Sequence, residues 1–324
     1  MIVVKPRSLT EALRYLQENL QAKPVAGGTD LLPRLNQGLE RREALCCLSD
    51  FPELTGVRRE TDGRLFAGAL TRLAAVSSEA PLAAYPALCE AASQAASPQI
   101  RNQGTLGGNI LQENRCIFFN NQVPWSNVNK CFKWGGRQCF QYKASKECVA
   151  LFQSDIAPVL IAYGAQARLR SAAGERELPV EALYLPAGRK AIAADEILLG
   201  VLLPPAPANE TSAYVRKTIR GAFDFPLLSC AVRLRAENGV ITEFAAVLGA
   251  AGVKPARLDA IAAAFPGAPL AALPELCRQW QATAATAAAP FHDTHVNPAA
   301  RKTLAATAFT QATQTAAARC GADV

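Results

Sequence analysis

Hydrophobic positions in the first hundred residues alternate between short strand-like runs and helical faces. Ile2–Val4 reads as a strand. Leu9, Leu13, Leu16 and Leu20 then share one helical face, and Ser8 with Glu11 forms a capping-box pattern ahead of them. Residues 24–35 predict a strand ending at Val25-Ala26, a turn at Gly27-Gly28 and a helix opening at Thr29-Asp30. Residues 44–48 and 65–69 are further strand candidates, the second entered through the Asp62-Gly63 turn. Thr71 is placed to cap a helix, and Pro86 to start another that runs to about Ser97.

After a central stretch without clear period, Ile156–Ala162 predicts a helix, and residues 166–170, 175–178 and 197–203 predict strands. Pro204-Pro205 and the PAPANETS run read as a linker, which places a domain boundary near residue 210. Beyond it come a strand at 214–219 and a hairpin. Asn238-Gly239 between apolar runs at 228–235 and 240–249 is a two-residue turn signal. Helices follow at 256–264, 274–284 and 298–318, and no internal repeat is found.

Composition narrows the class. A chain of 324 residues exceeds one ordinary core, so two or three subdomains are expected. Half the residues are hydrophobic and 19% are charged, as in globular proteins generally. No apolar run approaches the ~18 residues of a membrane span. The start, MIVVKPRSLTEAL, lacks a long apolar core, so no signal peptide and a reducing, cytoplasmic location are expected. The net charge of +7 is modest, and a nucleic-acid face would need a broader basic stripe than the basic residues between Cys116 and Cys148.

Candidate chemistry concentrates between Ser97 and Asp155. SPQIRNQGTLGGN packs Gly104, Gly107 and Gly108 into five residues. With Gly27-Gly28 it offers a second place where backbone N–H groups can face a phosphate, although neither is a Walker loop or a G-x-G-x-x-G fingerprint. Cys116, Cys131, Cys139 and Cys148 then fall within 33 residues, separated by 14, 7 and 8 positions. That spacing lacks the two-residue step of a zinc knuckle and suits a loop around an inorganic cluster. The segment also carries Phe118, Phe119, Trp125, Phe132, Trp134, Phe140 and Tyr142, with five basic residues against Glu147 alone. Aromatics exclude water from an anionic cluster and lysines offset its charge. A structural zinc, or a surface insertion with free cysteines, remains open on the residues alone. His292 and His295 invite a metal reading, but a solvated loop accounts for them better.

VAGGTDLL, RNQGTLGGN and SDIAP, in that order, resemble the FAD-binding subunit of the molybdenum hydroxylase (xanthine dehydrogenase) superfamily. The resemblance runs over nearly the whole chain. It implies an α+β fold: a two-subdomain FAD-binding domain at 1–210 and a small α+β C-terminal domain at 211–324. It implies FAD held by Val25, Ala26, Gly27, Gly28, Thr29, Asp30 and Leu31, and by Thr105, Gly107, Gly108 and Asn109. Asp155 matches the family aspartate near the FAD ribose or pyrophosphate, and Lys217 a basic position beside the flavin. On the residues alone, Asp155 also suits a cap for the helix that follows, and Lys217 a surface lysine on an edge strand.

The insertion at about 113–152 departs from most of that family and resembles the β subunit of 4-hydroxybenzoyl-CoA reductase. That narrower resemblance implies a 4Fe-4S cluster on Cys116, Cys131, Cys139 and Cys148. It also implies molybdenum-cofactor and 2Fe-2S partner subunits and a ferredoxin-type electron carrier. Two other functions stay open at this point: a flavin subunit of an NAD- or quinone-linked hydroxylase with zinc in the insertion, and a non-redox assembly module.

Overall fold

The computed structural model describes residues 1–48, 51–120, 130–221, 223–291 and 296–320. The histidine pair His292 and His295, and Trp125, lie outside the described residues. Among the described residues no helix is long and apolar enough to cross a membrane.

The N-terminal unit is a three-stranded parallel sheet in the order β1-β3-β2, built from β1 (Ile2–Val4), β2 (Lys23–Val25) and β3 (Ala44–Cys47). Helix Leu9–Glu18 connects β1 to β2, and it buries Leu9, Ala12, Leu13 and Leu16. Glu11 N–H donates to Ser8 Oγ at 3.2 Å, while the Glu11 carboxylate turns back to Arg7 N–H at 2.8 Å, one residue short of a reciprocal box.

The middle unit is a five-stranded antiparallel sheet in the order β4-β5-β8-β6-β7. Its strands are β4 (Val57–Arg59), β5 (Leu65–Gly68), β6 (Gln166–Ser171), β7 (Gly174–Pro179) and β8 (Ile197–Leu203). All seven residues of central β8 are buried. Ile197, Leu199 and Leu202 join the core beneath the N-terminal unit, and Leu198, Val201 and Leu203 the core on the opposite face. A strand covered on both faces reads as a continuous apolar run, which is why ILLGVLL shows no alternation. Gly200 belongs there because a Cβ would lie 2.4 Å from the Ala67 carbonyl oxygen.

The C-terminal unit is an antiparallel sheet in the order β12-β11-β10-β9, with β9 (Glu210–Lys217), β10 (Leu228–Glu237), β11 (Val240–Gly249) and β12 (Ala256–Arg257). The β10–β11 hairpin turns at Asn238 and Gly239, with φ of 51° and 76°, the paired left-handed geometry that Asn-Gly favours. Helices Leu273–Thr286 and Pro298–Arg319 contribute Leu273, Cys277, Ala305, Phe309 and Ala312 to the core on this sheet. Helix Ile156–Ala162, buried at all seven positions, packs against β10 and β11 and carries the middle unit's core to the sheet.

Several readings of the sequence differ from what is observed. Leu20 lies beyond the first helix, which ends at Glu18, and is exposed, and the helix expected from Pro86 to about Ser97 ends at Gln94. The strand expected at 214–219 begins at Glu210, so the polar end of the apparent linker is already paired with β10. The helix expected from 256 begins at Asp259, because Ala256 and Arg257 pair with β11. Thr71 caps nothing. Its hydroxyl donates to the Gly56 carbonyl at 3.2 Å, and the helix Leu73–Val76 begins after Arg72.

Candidate functional site

The turn after β2 and the helix Leu31–Asn36 bring Val25, Ala26, Gly27, Gly28, Thr29, Asp30 and Leu31 to the wall of one cleft of about 680 Å³. That volume lies in the range of cofactor-sized sites. Gly28 has φ of +72°, a conformation that side-chain-bearing residues rarely adopt. Gly27 is glycine for another reason: a Cβ would lie 2.0 Å from the Gln103 carbonyl oxygen, so the first glycine turn seats directly on the approach to the second. Among the described residues the backbone N–H groups of Gly27, Gly28, Thr29 and Asp30 find no acceptor. Four such donors at a cleft wall form an anion cradle.

The second glycine stretch behaves differently from the sequence expectation. Thr105, Gly107 and Gly108 line the same cleft, on the helix Leu106–Leu111. Gly107 N–H donates to the Ala69 carbonyl at 2.8 Å, and Gly108 N–H to Thr105 Oγ at 3.1 Å. Those donors are already engaged inside the protein. The glycines instead let the helix approach. A Cβ on Gly107 would lie 2.8 Å from that of Ala69, whereas one on Gly108 would meet only Thr105 Oγ, at 3.0 Å.

Charge in the cleft is cationic. Lys23, Arg34, Arg42, Lys133, Arg189 and Lys190 line it against Asp30, Glu113 and Glu196. Asp30 is committed: it pairs with Arg115, accepts from Glu113 N–H at 3.2 Å and sits 3.3 Å from Arg34 Nε. It therefore ties the first glycine turn to the start of the cysteine segment. Lys190 follows the left-handed Ala187-Gly188 turn and lies 5.3 Å from the Tyr184 ring and 5.9 Å from that of Phe152. Burial lowers its ammonium to about 8. Apart from Asp30, and Lys133 among the basic residues of the cysteine segment, none of these charged wall residues stood out in the sequence. A lysine two residues after a glycine turn was the only local signal for Lys190.

Asn109, Asp155 and Lys217 do not line the cleft. Asn109 Oδ1 accepts from Ser154 Oγ at 2.7 Å and from Ile156 N–H at 3.2 Å. Ser154 Oγ in turn accepts from Ala157 N–H at 3.0 Å. These two side chains cap the helix Ile156–Ala162, and the carboxylate of Asp155 does not. Asp155 Oδ1 instead accepts from Tyr214 Oη at 2.7 Å and Arg216 Nε at 2.8 Å, fully buried between the helix and β9. Lys217 ends β9, the edge strand of its sheet, and its ammonium donates to Gln311 Oε1.

Cys116, Cys131, Cys139 and Cys148 all line a second, smaller cavity of about 10 Å³, beside Phe118, Phe119, Phe132 and Phe140. The segment is closed at its base by reciprocal 2.8 Å backbone hydrogen bonds between Arg115 and Leu151. Asn114 Nδ2 donates there to Ala150 O at 2.9 Å and Val253 O at 2.7 Å. Gly136 lets the chain double back, since a Cβ would overlap the Lys130 carbonyl. Burial pushes the Cys116 thiol up to about 11. Among the described residues no group of three or more His, Cys, Asp or Glu side chains is placed to hold a metal ion. A tetrahedral zinc, with Zn–S near ~2.3 Å, would require sulfurs ~3.8 Å apart.

Residues 1–206 match the family described as the FAD binding domain in molybdopterin dehydrogenase, and residues 213–316 match the CO dehydrogenase flavoprotein C-terminal domain. The chain belongs to this flavoprotein family. Among the flavoprotein's relatives, the xanthine dehydrogenase FAD-binding subunit of Escherichia coli O157:H7 is 29% identical over 265 residues, 81% of this chain and 78% of that one. The carbon monoxide dehydrogenase medium chain of Hydrogenophaga pseudoflava is 38% identical over 106 residues, 32% of this chain and 37% of that one. In structure, the flavoprotein superposes on a chain of Hydrogenophaga pseudoflava carbon monoxide dehydrogenase with a TM-score of 0.82, at 24% identity, covering 99% and 98% of the two chains. A chain of quinoline 2-oxidoreductase from Pseudomonas putida 86 gives 0.76 at 20% identity, covering 98% of this chain and 97% of that one. The flavoprotein is thus an FAD-binding subunit of the molybdenum-dependent dehydrogenase type, with the two-part fold of the carbon monoxide dehydrogenase medium chain.

Proposed function

We propose that this flavoprotein is the electron-transfer subunit of a molybdenum-dependent reductase of the 4-hydroxybenzoyl-CoA reductase type, carrying FAD in the large cleft and a 4Fe-4S cluster in the insertion. The observation that carries the reading is that four cysteines, 33 residues from first to last, line one aromatic-walled cavity adjoining the cationic cleft. FAD, when bound, can hold two electrons and pass them singly, which suits a place between a one-electron cluster and another redox centre.

The chain's own residues do the holding. Unengaged N–H groups of Gly27 to Asp30, with Lys23, fit a diphosphate dianion, while Arg34 and Arg42 in the same wall are held on Glu40. Ala26, Leu31, Thr105, Gly107 and Gly108 shape the wall, while Asn109 and Asp155 fix the helix and sheet behind it. Lys217, held on Gln311 at the edge of its sheet, would reach a flavin only by leaving that acceptor.

Four thiols around one cavity match the donor set of a cubane cluster. The cavity holds about 10 Å³, so the segment would have to open for the four thiols to surround a cluster. Lys130, Arg137, Lys143 and Lys146 are exposed on the same segment and suit an acidic, ferredoxin-type electron donor. Molybdenum-cofactor and 2Fe-2S subunits complete the path. The family match weighs against a non-redox module.

The deciding experiment is iron, zinc and flavin analysis of protein purified without oxygen, with low-temperature EPR after dithionite. Four irons and one acid-releasable FAD per chain, with the iron lost in Cys139→Ser, support the reading. Stoichiometric zinc without iron overturns it.

A further inference from the structure

Lys133 lines both cavities. It is one of the walls of the cysteine cavity and also one of the walls of the large cleft. The other four basic residues between Cys116 and Cys148 are exposed, whereas the Lys133 side chain is 17% exposed and points inward. Its ammonium lies 2.5 Å from Glu113 Oε1, donates to Asn114 O at 3.3 Å and stands 4.8 Å from the centre of the Phe119 ring. Glu113 is itself fixed to the flavin side. Its N–H donates to Asp30 at 3.2 Å and its second oxygen lies 3.7 Å from Arg34 Nη1. One ion pair therefore stands in the partition between the two sites.

We propose that Lys133 and Glu113 form an electrostatic coupler, setting the potentials of both cofactors together and linking each to the charge of the other. This rests on the reading of the two cavities as the cluster and FAD sites. Reduction of either centre by one electron, supplied by the ferredoxin-type donor, adds negative charge on one side of the ammonium. No bond is made or broken there and no proton moves. The Lys133 and Glu113 side chains, beside Phe119 and Phe132, are 17% and 30% exposed, so solvent screens that charge only in part and the ammonium favours the reduced form on both sides. Glu113 opposes it. Lys133 is thus a positioning and tuning residue, not one that reacts.

The test uses the opposite signs of the pair. In the purified, loaded complex, Lys133→Met removes the cation and leaves the Glu113 carboxylate, so both midpoints fall. Glu113→Gln keeps the ammonium and removes its counter-charge, so both midpoints rise. A tenfold change in each reduction equilibrium is expected, about 59 mV for the one-electron cluster and about 30 mV for a two-electron flavin couple. Lys133→Arg restores both midpoints, and Lys302→Met, exposed on the helix Pro298–Arg319, moves neither flavin nor cluster. The midpoints are read by EPR for the cluster and by visible absorbance for the flavin. If the two variants shift the midpoints in the same direction, or only the cluster responds, the pair is structural and the coupling is overturned, while four irons per chain leave the cluster reading intact. Iron-free protein overturns both.

Discussion

Arg216 Nε meets Asp155 Oδ1 at 2.8 Å, with side chains only 9% and 6% exposed. The pair joins the end of the SDIAP turn to β9 and so ties the middle unit to the C-terminal sheet. Burial pushes the Asp155 carboxyl up, and the guanidinium with the Tyr214 hydroxyl works against it. Removing one partner leaves an uncompensated buried charge. Arg216→Met should therefore cost about 3–5 kcal/mol, and Asp155→Asn in the same chain should recover part of that loss. Thermal denaturation of the four combinations measures it. A single variant within about 1 kcal/mol of the parent would show that water reaches the pair.

The two glycine turns should respond differently to a methyl group. Gly27→Ala places a Cβ against the Gln103 carbonyl and should lower stability by about 1–3 kcal/mol, with FAD lost as a consequence. Gly108→Ala meets one hydroxyl and sits in a helix, so stability should stay within about 1 kcal/mol. FAD affinity should still fall at least about tenfold, or ~1.4 kcal/mol. Melting temperature and flavin fluorescence titration, run in parallel, separate the two effects. Equal flavin affinity in Gly108→Ala and parent would remove that helix from the flavin wall.

FAD affinity should depend on pH through Lys190. Its ammonium loses its proton near 8 in the free protein, below the ordinary 10.5, because burial disfavours the charge. An anion in the cleft favours the ammonium, so binding takes up a proton and weakens as pH rises through about 8. The sign for stability without flavin is the reverse. The unfolded chain holds this proton up to about 10.5, so folding gains stability between about 8 and 10.5. Titrations at pH 7 and pH 9 should show the loss of affinity, and Lys190→Met should flatten it. An unchanged slope in that variant would assign the dependence to another group.

Electron entry should be sensitive to salt. Lys143→Glu with Lys146→Glu reverses charge on the exposed face of the insertion. Stopped-flow reduction by an acidic ferredoxin should slow most at low ionic strength, with flavin content unchanged. A rate independent of both salt and charge would place the entry point elsewhere.

Much of this was legible in the residues. β8, the Asn-Gly hairpin and the Gly27-Gly28 turn carry their signals locally, in apolar runs and backbone demands that no neighbour overrides. The gathering of Cys116, Cys131, Cys139 and Cys148 was also readable, because density and aromatic company are properties of the segment itself. What stayed hidden depends on partners far along the chain. Lys23 and Lys190 look like any surface lysine until strands and turns from distant regions face one cleft, and the place of Lys133 between two cavities depends on the same fold. Gly107 and Gly108 looked like donors to a phosphate, but Ala69 and Thr105 had claimed their N–H groups. Asp155 looked like a cap, and its neighbour Ser154 took that role with Asn109.

The reciprocal pair between Arg115 and Leu151 has a consequence for ancestry. The two ends of the cysteine segment leave and rejoin the scaffold one hydrogen-bonded rung apart. A segment so anchored is portable: a short turn in its place spans the same gap, and neither glycine turn has to move. The far side of the segment is less free, because Cys139, Val149 and Leu151 share a small core with Ala289 and Phe291 of the C-terminal unit. Gain of the segment in a lineage would thus be a single event for the scaffold but would leave a matching imprint on the other domain, at Phe291.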